Sequence, residues 1–310
     1  MTNHLHLCAL ALLAVFGCAG SSEPSATFVA PRLGLELVGE VANEWLGYSI
    51  AAAGDVTGDG RADLLLSEHA SGVGGRVSVI AGPLVPGEPW RDRVVATFVG
   101  EYGFANLGDW LVHAGGCDVN GDGHADLLLG SPFADVDDVA ATPIRSGDNA
   151  GKAYLVFGGP ALAGDHGITD ADVQLVGEAA FDTAGSAVAC LGDLDGDGRD
   201  DVAIAAKGSA HSGAQDAGAV YVLYGRDTWP TILALADADA ILMGEQAYEQ
   251  AGIAVSPAGD VDGDGHVDVL IGAPNADVDG EDDGVAYLVL GDGQRLAGEL
   301  PLASRAVRLE

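Results

Sequence analysis

A nine-residue acidic phrase recurs four times along this 310-residue chain: DVTGDGRAD from Asp55, DVNGDGHAD from Asp118, DLDGDGRDD from Asp193 and DVDGDGHVD from Asp260. Successive copies lie 63, 75 and 67 residues apart. A fixed phrase at such intervals marks an internal repeat, in which each unit is a supersecondary element that buries its apolar surface only against its neighbours.

Three further markers recur in constant order around the phrase. A short apolar segment ending in Gly-Glu comes first: LELVGE to Glu40, ATFVGE to Glu101, VQLVGE to Glu178 and AILMGE to Glu245. From its glycine to the next acidic phrase the distance is 16, 18, 16 and 16 residues, which fixes a register. Between them lie LGYSIAAAG, LGDWLVHAGG, AGSAVACLG and AGIAVSPAG, too short for stable helices and suited to strands. The acidic phrase then runs into DLLLS, DLLLG, DVAIA and DVLIG, unbroken apolar runs of the kind found in strands buried on both faces. A glycine-bounded strand of eight residues closes each unit, starting at Gly75, Gly151, Gly218 and Gly284. Only the connection before it varies, with 20, 33, 25 and 24 residues from the first aspartate to that glycine, and variable loops on constant strands are where recognition usually sits.

Short strands separated by turns, 47 glycines and 6% aromatic residues predict an all-β chain without long helices. Four strands per unit predict a β-propeller of about four four-stranded blades, with repeats at about 33–92, 93–170, 171–237 and 238–310.

In DVDGDGHVDVLIGAPNAD, Asp260 to Asp277, the chain resembles the FG-GAP repeats that form the propeller of integrin α chains and of many bacterial surface proteins. The likeness covers nearly everything after residue 33. DVNGDGHADLLLGSPFAD differs at Ser131, while DVAIAAKGSA and DLLLSEHASG have lost the Gly-Ala-Pro ending. Leu46-Gly47, Leu107-Gly108, Ala184-Gly185 and Ala251-Gly252 stand for the Phe-Gly of the family. Propellers of this family typically have about seven blades, so the resemblance implies an incomplete or truncated ring. The C-terminal VRLE, Val307 to Glu310, aligns with LELV at Leu35 and VQLV at Val173 and stops before a further Gly-Glu. The alternative to truncation is an arc that oligomerises, or one that closes through the Leu33 to Gly39 strand.

Counted from its first aspartate, the phrase carries side-chain oxygens at positions 1, 3, 5 and 9 and glycine at 6. Calcium takes six to eight hard oxygens at about 2.3–2.6 Å, and a glycine permits the turn that folds alternate side chains inward. The expected ligand sets are Asp55, Thr57, Asp59 and Asp63; Asp118, Asn120, Asp122 and Asp126; Asp193, Asp195, Asp197 and Asp201; Asp260, Asp262, Asp264 and Asp268. Position 7, occupied by Arg61, His124, Arg199 and His266, is expected to donate its backbone carbonyl with its side chain turned away. Position 12, where an EF-hand needs a bidentate glutamate, holds Leu66, Leu129, Ile204 and Ile271, which excludes that arrangement. About four Ca2+ ions are expected, the first loop binding most weakly because Thr57 offers only a hydroxyl. The alternative is a set of solvated acidic turns. A second, irregular acidic cluster, at Asp135, Asp137 and Asp138 and at Asp277, Asp279, Asp282 and Asp283, reads as solvated loop.

Thirteen lysines and arginines stand against 47 aspartates and glutamates, a formal charge of −34 that excludes nucleic-acid phosphates as partners and favours cations. The N-terminus, MTNHLHLCALALLAVFGCAGSSEPS, carries an apolar run from Leu7 to Gly17 that suits a signal peptide over 1–18 and is too short to span a bilayer. VFGC resembles a bacterial lipobox, which would make Cys18 the lipidated residue and 19–32 a polar tether. His4 and His6 stand where such leaders carry lysine or arginine. The expected location is therefore the outer membrane or cell surface through a lipid anchor, or otherwise the periplasm or exterior. Cys117 and Cys190 occupy non-equivalent places in the repeat and read as two buried thiols, with a disulfide as the alternative.

The sequence carries no Gly-x-Ser-x-Gly elbow, His-Glu-x-x-His, P-loop or Cys-x-x-Cys, and His69, His113, His166 and His211 are scattered without a nucleophile. The resemblance extends to the propeller of glycosylphosphatidylinositol-specific phospholipase D, whose catalysis resides in a separate domain absent here. A non-enzymatic, calcium-stabilised binding module for an unidentified protein or glycan is thus expected. The alternatives are a non-catalytic fragment of a larger secreted enzyme and a purely structural surface protein.

Overall fold

In the computed structural model the described residues are 37–39, 45–68, 75–86, 88–101, 113–136, 149–277 and 283–309. The leader, Cys18, the tether, Glu40, His69, the Leu107-Gly108 pair, Asp137, Asp138, Asp279 and Asp282 lie outside them. Each acidic phrase is a hairpin turn. In the first sheet it joins β1 (Leu46–Gly54) to β2 (Asp63–Glu68), followed by β3 (Arg76–Ile80) and β4 (Val94–Val99). The second sheet comprises β5 (His113–Cys117), β6 (Asp126–Ser131), β7 (Lys152–Val156) and, after the short β8 (Gly164–Gly167), β9 (Val173–Val176). The third comprises β10 (Ala184–Gly192), β11 (Asp201–Ala206), β12 (Ala219–Leu223) and, after β13 (Ile232–Ala234), β14 (Ala240–Met243). The fourth comprises β15 (Ala254–Gly259), β16 (Asp268–Ala273), β17 (Val285–Val289) and, after β18 (Gly298–Pro301), β19 (Val307–Leu309).

The sheets and the sequence repeats are offset by one strand. The Gly-Glu segment that opens a repeat is the outermost antiparallel strand of the sheet before it: β4 pairs with β3, β9 with β7, and β14 with β12. The C-terminal Val307–Leu309 takes the same place beside β17. The short strands β8, β13 and β18 then add in parallel to β4, β9 and β14, so the first three sheets have five strands and the fourth has four.

The innermost strands stack in order, β1 on β5, β5 on β10 and β10 on β15. The core lies between sheets. Leu127 and Leu129 of β6 pack with Val77, Val79 and Phe98 of the first sheet, while Leu128 packs with Val202, Ile204 and Tyr221 of the third. Alternation of side chains thus buries both faces of an unbroken apolar run, each such side chain contributing about 1.5–3 kcal/mol. Every residue of β6, β7, β11 and β12 is buried. At the ends of the row the pattern changes: Ile50 is 67% exposed, Leu64 38%, and β15 has no fully buried residue. Among the described residues the four sheets form an open arc: no further sheet packs on the outer faces of the first and fourth, and Leu66 and Ile80 of the first are covered instead by Trp90 and Leu37.

The glycines opening β7 and β12 have a spatial reason. Gly151 adopts φ +81, and a Cβ on it would stand 2.2 Å from Ala184 O; Gly218 adopts φ +84, with Ala251 O at 2.1 Å. Backbone from the next sheet occupies the space of a side chain, as Ala184 N donating to Ala150 O at 2.9 Å and Ala251 N to Ala217 O at 2.9 Å require. The two cysteines correct the expectation of free thiols. Cys117 of β5 and Cys190 of β10 form a disulfide, with Cα atoms 5.7 Å apart. Pairing needs no equivalence within the repeat, because the facing innermost strands come from different sheets.

Candidate metal centres

The residue before each acidic phrase pairs with its ninth residue: Gly54 with Asp63, Cys117 with Asp126, Gly192 with Asp201 and Gly259 with Asp268. Inside that closure, carboxylates take the place of ladder partners. In the third loop, Asp193 Oδ1 accepts from Gly196 N at 2.7 Å and Asp197 N at 3.1 Å, and its Oδ2 accepts from Gly198 N at 2.9 Å. Asp195 Oδ1 accepts from Asp197 N at 3.0 Å, and Asp197 Oδ1 from Arg199 N at 3.0 Å. The second and fourth loops repeat this set through Asp118, Asn120 and Asp122 and through Asp260, Asp262 and Asp264. Glycines at positions 4 and 6 have positive φ in every copy, for example +77 and +90 at Gly196 and Gly198, turning successive N–H groups inward. The position-3 and position-5 carboxylates thereby keep Oδ2 clear of the backbone bonds. One oxygen from each of Asp193, Asp195 and Asp197 lies within 4.8 Å of the others, and the same holds for Asp260, Asp262 and Asp264.

The ninth residue is placed differently. Asp63, Asp126, Asp201 and Asp268 are fully buried. In the last three, Oδ2 accepts from the position-2 amide (Val119, Leu194, Val261) at 2.8–2.9 Å, and Oδ1 from a glycine after the last core strand (Gly158, Gly225, Gly291) at 2.8–2.9 Å. In the first loop the donors to Asp63 are Thr57 N at 3.0 Å and Gly82 N at 3.1 Å. These aspartates stand outside the converging triads and lock the hairpin to its sheet. Burial pushes the Asp126 and Asp201 carboxyls up to about 7, against the opposing pull of their two amide donors and with the help of neighbouring aspartates.

The four loops also differ in what faces their oxygens. In the first, Thr57 Oγ1 is buried without a hydrogen-bond partner, and Arg61 stands 3.9 Å from Asp59. In the second, Asn120 Nδ2 donates to Asp122 Oδ2 at 3.1 Å. In the third, Arg295 ion-pairs with Asp195 and with Asp197, the latter at 2.9 Å. In the fourth, no lysine or arginine among the described residues pairs with the triad, which is exposed. The position-7 side chains turn outward onto neighbouring turns: a Cβ on Gly58 would meet His124 at 3.0 Å, one on Gly121 would meet Arg199 at 3.2 Å, and one on Gly293 would meet His266 at 2.4 Å.

At the opposite end of the sheets the structure assembles carboxylate sites that the sequence did not disclose. Tyr154 Oη donates to Glu101 Oε1 at 2.6 Å, and Lys152 Nζ lies 2.8 Å from the same oxygen. Tyr287 Oη donates to Glu249 Oε1 at 2.5 Å. Glu178, which raises the Tyr221 hydroxyl behind the larger effect of burial, faces His211 Nδ1 at 3.3 Å, whose Nε2 lies 3.2 Å from Glu299. The recurring tyrosine in KAYLV, AVYVL and VAYLV was the available signal. Of the second acidic cluster, Asp135 Oδ1 accepts from Asn149 N at 3.2 Å, a loop-closing bond.

A family model described as FG-GAP repeat matches residues 46–80, 113–156, 184–223 and 251–289, in register with the first three strands of each sheet. The chain is 28% identical over 239 residues to integrin alpha pat-2 of Caenorhabditis elegans, 29% over 245 to integrin alpha-5 of Xenopus laevis and 32% over 249 to integrin alpha-V of Gallus gallus. Each match takes in 76% of this chain but only 18%, 20% and 20% of the relative, so the chain spans about a fifth of the length of these proteins. With its four matched repeats forming four consecutive sheets, the chain belongs to the FG-GAP repeat family and has its β-propeller fold.

Proposed function

We propose that this chain is a calcium-stabilised recognition module. Its acidic loops hold Ca2+ through positions 1, 3 and 5 and the position-7 carbonyl, and the opposite end of the sheets offers variable loops to a protein or glycan partner. The observation that carries this reading is the fourth loop. Asp260, Asp262 and Asp264 converge within 4.8 Å with no lysine or arginine of the described residues paired with them, on a turn already organised by its own amides. Such a cluster is repulsive without an ion, and hard oxygens suit calcium. The buried, unpartnered Thr57 Oγ1 supports a cation in the first loop as well. In this reading the position-9 aspartates hold the turn in shape rather than leading the coordination.

Recognition is assigned to the end carrying the connections between the second and third core strands, because these change length most among the repeats. Among the described residues no helix is long and apolar enough to cross a membrane. The lipobox-like Cys18 supplies the proposed attachment to the outer membrane or cell surface, and Cys18→Ser should release the protein into the soluble fraction.

Calorimetric titration of the purified chain tests the cation. About 1 mM calcium acting on a site of about 0.1 mM dissociation constant stabilises by roughly 1.4 kcal/mol, so excess chelator should lower the melting temperature and Asp264→Asn should remove one binding event. Absence of calcium uptake, with identical melting in chelator, would return the loops to solvated turns.

A further inference from the structure

The third acidic loop differs from the others in what covers it. After the last core strand of a sheet, the chain crosses to the acidic turn of the preceding sheet and plugs an apolar side chain beneath it. Leu162 packs against the cluster containing Val56, Trp229 against that containing Val119, and Leu296 against that containing Leu194. From Gly158 to Leu162 and from Gly225 to Trp229 the path is four residues, but from Gly291 to Leu296 it is five. The longer segment presents Arg295 where the earlier ones carry Ala161 and Thr228.

That arginine reaches the carboxylates that the sequence assigns to an ion. Arg295 Nε pairs with Asp195 Oδ2 and its Nη2 with Asp197 Oδ2 at 2.9 Å, the two oxygens left clear of the loop's own amides. Its guanidinium carbon stands 4.8 Å from the centroid of the Tyr224 ring, and Leu296 N donates to Tyr224 Oη at 2.5 Å, which fixes the approach. The Asp195 side chain is left 5% exposed. Arg199 adds a second positive group 3.5 Å from Asp197. A planar fork on two carboxylates supplies hydrogen bonds as well as charge, and a guanidinium cannot shed its proton to make way for an ion.

We propose that the third loop is closed by Arg295 in place of a divalent ion, so that an internal guanidinium staples the third sheet to the segment that follows β17 of the fourth, and a cation enters only by displacing it. The proposal rests on the calcium reading for its competition half alone, since the staple itself needs no calcium. Arg295→Met keeps the stem over Tyr224 and removes the fork. In chelator, melting of wild type, Arg295→Met, Asp197→Asn and the double variant should show non-additive losses, the second substitution costing less once the first is made. In calcium titrations, Arg295→Met should tighten one site by about fivefold, the worth of a good exposed ion pair. That gain should vanish in the Asp197→Asn background.

Additive losses in chelator overturn the staple. Unchanged calcium affinity in Arg295→Met, while Asp264→Asn still removes a binding event, overturns the competition. If no variant takes up calcium, the general calcium reading fails, and the chelator cycle still decides the staple.

Discussion

At the acidic end of the sheets, Asp126, Asp201 and Asp268 bind the same two kinds of backbone amide, within 2.8–2.9 Å, in three successive sheets. At the opposite end, Glu101, Glu178 and Glu249 all face the recurring strand tyrosine (Tyr154, Tyr221 and Tyr287) but with different companions: Lys152, His211 and two backbone amides. Both ends are rich in carboxylates, yet one repeats both of its partners and the other keeps the tyrosine and changes the rest. Backbone amides are available at every position, so an aspartate bound to them recurs wherever the turn recurs; side-chain partners vary with each loop. The constant end therefore secures the fold and the variable end is free to diversify, which is the physical basis for assigning cation and partner to opposite ends.

The largest effect that could break this comparison lies at a buried aspartate. Asp201→Ala leaves Leu194 N and Gly225 N without acceptors inside the protein, a loss of about 2–5 kcal/mol in all. Asp197→Ala, measured likewise by denaturant unfolding in chelator, removes two partly exposed ion pairs, to Arg295 and Arg199, and should cost about 2 kcal/mol or less. If the order is reversed, position 9 does not hold the fold.

The disulfide comes next. It joins strands of two sheets across a sequence separation of 73, and Cys117→Ser with Cys190→Ser should lower stability by about 2–4 kcal/mol under oxidising conditions. A double variant as stable as the parent would show that interlocked apolar faces alone hold the second and third sheets together.

The sequence made the local part of this architecture legible. A carboxylate bonding to amides two to seven residues away leaves its mark in the spacing of a single phrase, and Leu127, Leu128 and Leu129 announce a strand buried on both faces. Sheet membership was harder to read, because a Gly-Glu strand is equally close in sequence to the sheet it leaves and the one it precedes. Arg295 with Asp195 and Tyr154 with Glu101 are 100 and 53 residues apart. Nothing in either segment alone specifies such a meeting, which depends on how adjacent sheets stack. For the same reason the triads were legible but the separate placement of their ninth residue was not.

Acidity gives a smaller handle on both ends. Burial raises Asp126 and Asp201 to about 7 and Asp182 to about 6 from 3.8, so the folded chain holds these protons where the unfolded chain has released them. Their contribution is complete below about 4 and is lost as pH rises through 6 to 7. His113, lowered by burial to about 4 from 6.5, works oppositely, its contribution being lost as pH falls below 6.5. Three carboxyls outweigh one imidazole, and the charge of −34 acts in their direction. In chelator the melting temperature should therefore be higher at pH 5 than at pH 7.5, and calcium should flatten that slope by favouring the ionised clusters. Stability that rises from pH 5 to 7.5 in chelator would mean that the buried aspartates are ionised throughout.

The smallest effect tests the variable end alone. His211 bridges Glu178, on the turn leaving the second sheet, and Glu299 of β18, at 3.3 and 3.2 Å. The Glu299 side chain is 65% exposed, so solvent screens that half of the bridge and the imidazole adds little to the fold. His211→Ala should cost less than about 1 kcal/mol in denaturant unfolding and leave calcium uptake unchanged, since its contacts lie at the far end of the strands from the acidic turns. The informative partner is Glu178→Gln, which keeps the size of the side chain and removes the charge that opposes ionisation of the buried Tyr221. If either change alters calcium affinity, the two ends communicate through the strands between them, and the division between a constant cation end and an independent recognition end fails.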